Sequence, residues 1–104
     1  MEVVRTVAEL RLLVAHARRE GRSVGLVPTM GALHEGHLSL IRRSAAECGL
    51  TVVTLFVNPT QFAPTEDLSR YPRPFEEDCR LAEEAGADLL FAPPLEEVYP
   101  SGFA

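Results

Sequence analysis

Two histidines lie three residues apart in VPTMGALHEGHLSL, which spans residues 27–40, with one glycine before the pair and a second glycine between its members. Imidazole exchanges a proton near neutral pH and donates hydrogen bonds, so His34 and His37 are the first candidates for chemistry. Gly31 lets the backbone turn sharply or approach a ligand, and Gly36 leaves the helix entrance without a side chain. An apolar run precedes the histidines and a helical pattern follows them, which places them at a junction between a strand and a helix.

This junction is typical of a phosphate site. The first N–H groups of a helix have no partner within the helix, and together with the helix dipole they attract anions. His34 and His37 are about one turn apart near the helix start, so their rings can project to the same side. Two imidazole donors suit a phosphate group that gains negative charge during a reaction. We therefore interpret the pair as phosphate donors beside a helix N-terminus.

Two other interpretations of the pair remain open. A histidine is most commonly structural or solvated. An HxxH pair also chelates zinc when a third ligand is near. Cys48 lies about three turns further along the helix, too far to complete a site with these two rings, so we expect no metal centre.

A second group of polar side chains follows the next apolar run. Asn58 and Gln61 carry neutral amides, which can bind a hydroxyl or a carboxylate without adding charge. Asn-Pro also commonly begins a turn, so a purely structural role remains open for both residues. Ligands of open parallel sheets bind beyond the carboxyl ends of the strands. We therefore expect residues 28–37 and 58–62 to face one crevice.

Helical and apolar segments alternate along the chain and must position these residues. Helical spacing predicts helices over residues 6–21, 35–49 and 74–86, and short apolar runs predict buried strands over 23–28, 51–57 and 87–93. A long irregular stretch separates the second strand from the third helix, and the proline-rich tail has room for one short helical turn. Strands alternating with helices predict parallel pairing through right-handed crossovers. The expected fold class is α/β, a Rossmann-like doubly wound parallel sheet truncated to about three strands.

Composition limits the class of protein. The 104 residues carry a net charge of −5, which argues against nucleic-acid binding, because that function requires a basic face. No signal peptide is apparent and no apolar run reaches the ~20 residues of a membrane span, so we expect no membrane partner and a cytoplasmic location. Cys48 and Cys79 lack a CxxC spacing and are expected to be reduced, half-buried thiols.

Three segments closely resemble one enzyme family over nearly the whole chain: PTMGALHEGHLSLI, FVNPTQFAPTEDLSRYPRPFEEDC and DLLFAPPLEEVYPSG. The family is that of the pantothenate synthetases, also called pantoate–β-alanine ligases. HxGH alone is shared across a nucleotidyltransferase superfamily that includes class I aminoacyl-tRNA synthetases. Its combination with PTMG, FVNPxQF and YPR is specific to the pantoate–β-alanine ligases.

The resemblance implies an activity and a set of site residues. Such enzymes join pantoate to β-alanine with ATP and Mg²⁺ through a pantoyl adenylate, and release pyrophosphate and AMP. His34 and His37 would contact the phosphates, with His37 the candidate proton donor, and Gln61 would bind pantoate beside the β-alanine position. Asn58 is a weaker candidate for the pocket, as is Met30. The ATP-binding turn would comprise Met30, Gly31, Ala32, Leu33, His34, Glu35, Gly36 and His37.

The chain departs from this family in length. The family's later strands, its smaller C-terminal domain and a second set of ATP contacts that includes a lysine are missing, and this chain has no lysine. We therefore expect residues 1–104 to be the N-terminal part of the nucleotide-binding domain, without measurable catalysis alone. The alternative is a non-catalytic nucleotide-binding or self-association fragment, and the family resemblance implies a homodimer. A related nucleotidyltransferase with another acceptor is a third possibility, against which Gln61 in its NPTQF context argues.

Overall fold

The computed structural model describes residues 1–56 and 75–99, in which strands and helices alternate. All strand pairs are parallel, and the strand order in the sheet is β1-β4-β3-β2. The α/β fold predicted from the sequence is confirmed. The elements are β1 (Glu2–Val4), α1 (Val7–Arg19), β2 (Val24–Thr29), α2 (Glu35–Glu47), β3 (Leu50–Leu55), α3 (Phe75–Ala85), β4 (Leu89–Phe91) and α4 (Leu95–Val98).

The sheet has four described strands, so the expectation of about three was wrong. The additional strand, β1, is only three residues long, and its sequence shows no usable periodicity. Its partner is distant in the chain: Val3 is in register with Leu90 of β4, and the Ala92 N–H donates to the Val4 carbonyl at 2.9 Å. Pairing with β4, rather than local propensity, therefore creates this strand.

Helices cover both faces of the sheet. On β3 the neighbouring residues Val52 and Val53 point to opposite sides and are 1% and 0% exposed. The Val53 side packs with Ile41 of α2 and Ala82 of α3, whereas the Val52 side packs with Ala17 of α1. The two separate cores match a doubly wound arrangement.

The first predicted strand is not fully buried, because β2 lies at the edge of the described sheet. Val27 and Thr29 are buried, but Leu26 is 61% exposed. Within residues 1–56 and 75–99, β2 pairs with β3 alone and turns one face toward the α2 side of the sheet. The apolar run therefore predicted this strand correctly, but the prediction that the strand is fully buried was wrong.

Several predicted boundaries are confirmed. Thr6 caps α1 by accepting the Glu9 N–H at 3.2 Å, and Gly21 and Gly86 follow α1 and α3 with positive φ values of 78° and 113°. The predicted helical turn in the tail is α4, whose Glu97 accepts the Val7 N–H at 2.7 Å. Both cysteines are free and half-buried, as expected. None of the described helices is long and apolar enough to cross a membrane.

Candidate functional site

The turn after β2 begins with a threonine that joins two strands. The Thr29 hydroxyl donates to the Thr54 carbonyl at 2.8 Å and accepts the Gly31 N–H at 3.2 Å. Gly31 and Ala32 then adopt positive φ values of 91° and 53°, and Ala32 is the only non-glycine residue with positive φ in the described part of the chain. In this turn the neighbouring N–H groups of Ala32 and Leu33 point into one concavity, and successive main-chain donors of a turn can bind an anion.

Asp78 of α3 fills this concavity. Its Oδ2 accepts the Ala32 N–H at 2.9 Å and its Oδ1 accepts the Leu33 N–H at 2.8 Å. The Asp78 side chain is 1% exposed, and hydrogen bonds to a charged acceptor are about twice as strong as neutral ones. The free N–H groups predicted from the sequence are those at the start of α2, whereas the N–H groups of Ala32 and Leu33 precede that helix and are occupied by the protein's own carboxylate.

Sequence reasoning missed Asp78, although one signal was present. Asp78, Ala82 and Ala85 recur at helical spacing, and all three are buried on one side of α3. A carboxylate on an apolar stripe needs hydrogen-bond donors, because an unpaired buried charge costs several kcal/mol, roughly. The pattern therefore indicated a buried anion. The pattern did not indicate which N–H groups would donate to this anion. The donors lie 45 and 46 residues earlier in the chain.

The two histidines cap the N-terminus of α2. His34 is the N-cap residue, and its Nδ1 accepts the Gly36 N–H at 3.0 Å. His37 reaches back, and its Nδ1 accepts the His34 N–H at 3.3 Å. A nitrogen that accepts a hydrogen bond carries no proton, so each neutral ring holds its proton on Nε2. The cap thereby leaves two Nε2–H groups as donors.

The two rings lie side by side, as their spacing predicted. Their centroids are 4.0 Å apart with an interplanar angle of 26°. His34 is exposed and His37 is half-buried, so neither ring is enclosed in apolar packing. Burial lowers the pKa of His37 below its ordinary value, the His34 ring lowers it further, and the Asp78 carboxylate acts in the opposite direction. Two neutral rings can stack without charge repulsion.

Gly36 makes room for the His34 ring. A Cβ at this position would lie 2.8 Å from Cε1 and 3.0 Å from Nδ1 of that ring. We expected this glycine to leave space at the helix entrance, and the structure shows that a protein side chain uses that space. Glycine is therefore required for the cap itself.

A cavity of about 320 Å³ lies beside the turn, at the carboxyl ends of three strands. Its volume falls in the range of small-molecule sites. Met30 and Gly31 of the predicted residues 28–37 line it, whereas residues 58–62 lie outside the described residues, so their place in one crevice stays a prediction. Asp78 forms part of its wall, and Gly31 belongs to both the cavity and the turn that leads to the histidines. Its apolar lining includes Met30, Leu55, Phe56, Phe75, Pro93 and Leu95.

The remaining predicted residues are divided between the rim and the undescribed part of the chain. Met30 is 48% exposed at the cavity, and Glu35 is exposed and paired with Arg42. Asn58 and Gln61 lie outside the described residues. Within residues 1–56 and 75–99, no three His, Cys, Asp or Glu side chains are grouped as metal ligands.

Two curated relatives match this chain along its whole length. A pantothenate synthetase of Moorella thermoacetica is 55% identical over 104 residues, which are 100% of this chain and 37% of that protein. One of Pelotomaculum thermopropionicum is 54% identical over 103 residues, 99% of this chain and 36% of that protein. The chain thus spans little more than a third of the length of these relatives.

Two solved structures share the fold. Pantothenate synthetase from Thermus thermophilus aligns with a TM-score of 0.86 at 57% identity, over 100% of this chain and 36% of that one. Pantoate–β-alanine ligase from Francisella tularensis, complexed with β-γ ATP and β-alanine, aligns with a TM-score of 0.86 at 34% identity over 98% of this chain and 39% of that one. A family profile described as pantoate–β-alanine ligase matches residues 2–104. The chain therefore belongs to the pantoate–β-alanine ligase family.

Proposed function

We propose that this chain supplies the phosphate-binding part of an enzyme that condenses pantoate with β-alanine at the expense of ATP. The observation that carries the proposal is the stacked pair His34 and His37, which presents two Nε2–H donors at the start of α2. Neither histidine lines the ligand-sized cavity, but Gly31 of the preceding turn does. Support also comes from the Francisella tularensis relative, whose crystal structure contains β-γ ATP and β-alanine.

The proposed reaction has two steps. A carboxylate oxygen of pantoate attacks the α-phosphorus of ATP, the bond to the bridging oxygen breaks, and pyrophosphate leaves with the electron pair. The amine of β-alanine then attacks the carbonyl carbon of pantoyl adenylate, AMP leaves, and the amine loses a proton as the amide forms. Negative charge grows on phosphate oxygens in the first step, where fixed donors lower the barrier most effectively.

The geometry favours a hydrogen-bonding role for His37 over the proton transfer that the family resemblance implied. Its Nδ1 is held by the His34 N–H, and its lowered pKa keeps the ring neutral at pH 7. A neutral imidazole is a strong hydrogen-bond donor but a very weak acid, and it can polarise an oxygen without releasing its proton. Because main-chain donors fix the ring, little reorganisation is needed as charge develops.

The cavity suits the pantoate carbon skeleton. Pantoate carries two methyl groups on one carbon, and the Leu55, Phe56 and Phe75 side chains provide an apolar wall for them. Asp78 contributes a carboxylate to the same wall. The main-chain N–H groups of Ala32 and Leu33 donate to this carboxylate and offset a negative charge that would otherwise repel an acid. Gln61 and Asn58 remain the proposed partners of the pantoate hydroxyl and carboxylate groups.

The described residues do not form a Mg²⁺ site. No cluster of three potential ligands occurs among them, and both Asp78 oxygens are committed to main-chain N–H groups. Mg²⁺ in nucleotide sites is bound largely by substrate phosphates and water.

Residues 1–104 are proposed to be the first part of the nucleotide-binding domain, and the protein is proposed to be cytoplasmic.

A chimera tests the function of this chain in a complete enzyme. Residues 1–104 would be joined to the remainder of the Thermus thermophilus enzyme, and AMP release would be measured with ATP, pantoate and β-alanine. We expect turnover, and a loss of kcat of about 100- to 1,000-fold in His37→Ala. His16→Ala is the matched control, because His16 is 63% exposed on α1. Near-parental kcat in His37→Ala would contradict the proposal.

Self-association is the second candidate function. The edge strand β2 exposes Leu26, and in the described part of the chain its outer side has no strand partner. Open strand edges and exposed apolar side chains favour association, and a homodimer is the expected product. Size-exclusion chromatography at two concentrations tests this candidate, with Leu26→Lys expected to shift the mass toward that of the monomer. A strict monomer at high concentration would exclude it.

A further inference from the structure

The carboxylate of Asp78 stands in the place where a ligand phosphate would be expected. The Gly31–Leu33 concavity has the backbone geometry of an anion site, yet its Ala32 and Leu33 N–H groups donate to Asp78 at 2.9 and 2.8 Å. Asp78 comes from α3 and is 1% exposed, so the acceptor of both hydrogen bonds is removed from solvent. A phosphate at this turn must therefore find other donors.

The same carboxylate holds a backbone conformation that the sequence does not favour. A left-handed conformation costs a non-glycine residue roughly 1–2 kcal/mol, and Ala32 adopts one with φ 53°. Two hydrogen bonds to a buried charge offset this cost. The Gly31 N–H is held separately by Thr29 at 3.2 Å, so Asp78 acts on the second half of the turn.

The turn also sets the direction of the His34 N–H. Asp78 holds the N–H of Leu33, whose side chain is buried in the core between the sheet and helices α2 and α3. The next N–H along the chain belongs to His34 and donates to Nδ1 of His37 at 3.3 Å. A displaced Leu33 would rotate this peptide group and remove the donor that keeps Nδ1 of His37 free of a proton.

We propose that Asp78 is a positioning residue: it closes the Gly31–Leu33 concavity to phosphate and orients the His34 N–H that fixes the His37 tautomer. The phosphate of ATP is thereby directed to the imidazole Nε2–H groups. This inference rests on the proposed function for the identity of the ligand. The fixed tautomer is a property of the free chain and can be measured without ATP.

The test compares two aspartates that make the same kind of bond. Asp78→Asn replaces one acceptor oxygen by an NH₂ group. Because an NH₂ group cannot accept a hydrogen bond, one of the two main-chain N–H groups loses its acceptor. The matched control is Asp88→Asn, because Asp88 accepts the Thr51 N–H at 2.8 Å near the start of β4, at the opposite end of the strands from the turn. A merely structural role of Asp78 predicts a loss of stability in Asp78→Asn, where the buried NH₂ group faces a main-chain donor, without a change in either histidine ring.

Long-range ¹H–¹⁵N spectra of the imidazoles give the decisive readout. In the native chain we expect His37 in the Nε2–H tautomer. In Asp78→Asn we expect mixed tautomers for His37, hydrogen exchange at Ala32 and Leu33 faster by about tenfold, and ATP binding weaker by about tenfold. Asp88→Asn should leave the His37 tautomer unchanged. An unchanged tautomer in folded Asp78→Asn would overturn the proposal.

Measurements on the native chain remain decisive if Asp78→Asn does not fold. ATP should shift the Nε2 resonances of His34 and His37 and leave the Ala32 and Leu33 amides protected. Displacement of Asp78, seen as loss of that protection when ATP binds, would overturn the inference. If ATP does not bind any form of the chain, the phosphate-binding proposal fails for this chain, while the native tautomer and the amide protection still decide the role of Asp78.

Discussion

The main-chain N–H of His34 donates to Nδ1 of His37 at 3.3 Å, so one candidate site residue fixes the protonation of the other. The His34 ring is itself fixed, because its Nδ1 accepts the Gly36 N–H at 3.0 Å. The start of α2 is thus a small network in which the rings proposed to bind phosphate also cap the helix. Changes to the cap should therefore alter binding more than they alter stability.

Gly36→Ala tests this coupling. The new methyl group would lie 2.8 Å from Cε1 of His34 and displace that ring. Loss of the cap costs about 1 kcal/mol, whereas alanine in place of glycine within a helix contributes about 1 kcal/mol. We expect a melting temperature within a few degrees of the native value and ATP binding weaker by about tenfold.

The control for that variant is Ser39→Ala, which changes an exposed position of the same helix away from the cap. It should raise stability slightly and leave ATP binding unchanged. Calorimetry for stability and titration for ATP would give both quantities. Equal ATP affinity in Gly36→Ala and the native chain would contradict a shared role for the cap.

The lowered pKa of His37 predicts a pH dependence of stability. Because its pKa in the folded chain lies below the ordinary value of 6.5, the unfolded chain binds more protons as the pH falls below 6.5. The contribution of neutral His37 to the free energy of unfolding is therefore complete above pH 6.5. This contribution is lost as the pH falls through the lowered pKa. Urea unfolding between pH 7.5 and 5 should show this loss.

His37→Gln isolates the effect, because a glutamine oxygen can still accept the His34 N–H but does not titrate. The variant should lose part of the pH slope that the native chain shows between pH 7.5 and 5. Identical slopes for His37→Gln and the native chain would show that His37 does not titrate differently on folding.

Gly31→Ala and Gly21→Ala separate backbone strain from site geometry. Both glycines have positive φ values, 91° and 78°, so each substitution should cost roughly 1–2 kcal/mol of stability. A Cβ at Gly21 would meet no atom within 4 Å, whereas one at Gly31 would lie 3.4 Å from Oδ2 of Asp78. Unfolding curves should show similar losses, and only Gly31→Ala should change the imidazole spectra. Unchanged spectra in both variants would argue against a link between the turn and the rings.

The isolated 104-residue chain should release no measurable AMP from ATP, pantoate and β-alanine. The family resemblance implies a second set of ATP contacts that includes a lysine, and residues 1–104 contain no lysine. Donors on one side of the triphosphate stabilise only part of the developing charge. A coupled AMP assay with the chimera as positive control measures this directly, and clear turnover by the chain alone would refute the prediction.

The sequence predicted the local features of this protein well. The histidine spacing, the Thr6 cap of α1 and the terminating glycines Gly21 and Gly86 depend on interactions within a few residues. Such interactions have the same partners in any fold that contains the segment. The alternation of helices and strands likewise predicted a parallel α/β sheet, because parallel strands need crossover connections.

Interactions between distant segments decided the rest. Strand β1 exists because β4 pairs with it, and β2 is an edge strand because of its place in the sheet order. The donors of the turn meet Asp78 from a helix 45 residues further along, and no local pattern indicates that partner. The amino-acid sequence by itself determined which side chains could bind phosphate. The tertiary structure decided which main-chain donors remain free to do so, because a buried carboxylate must take its hydrogen bonds from whatever backbone the fold brings to it.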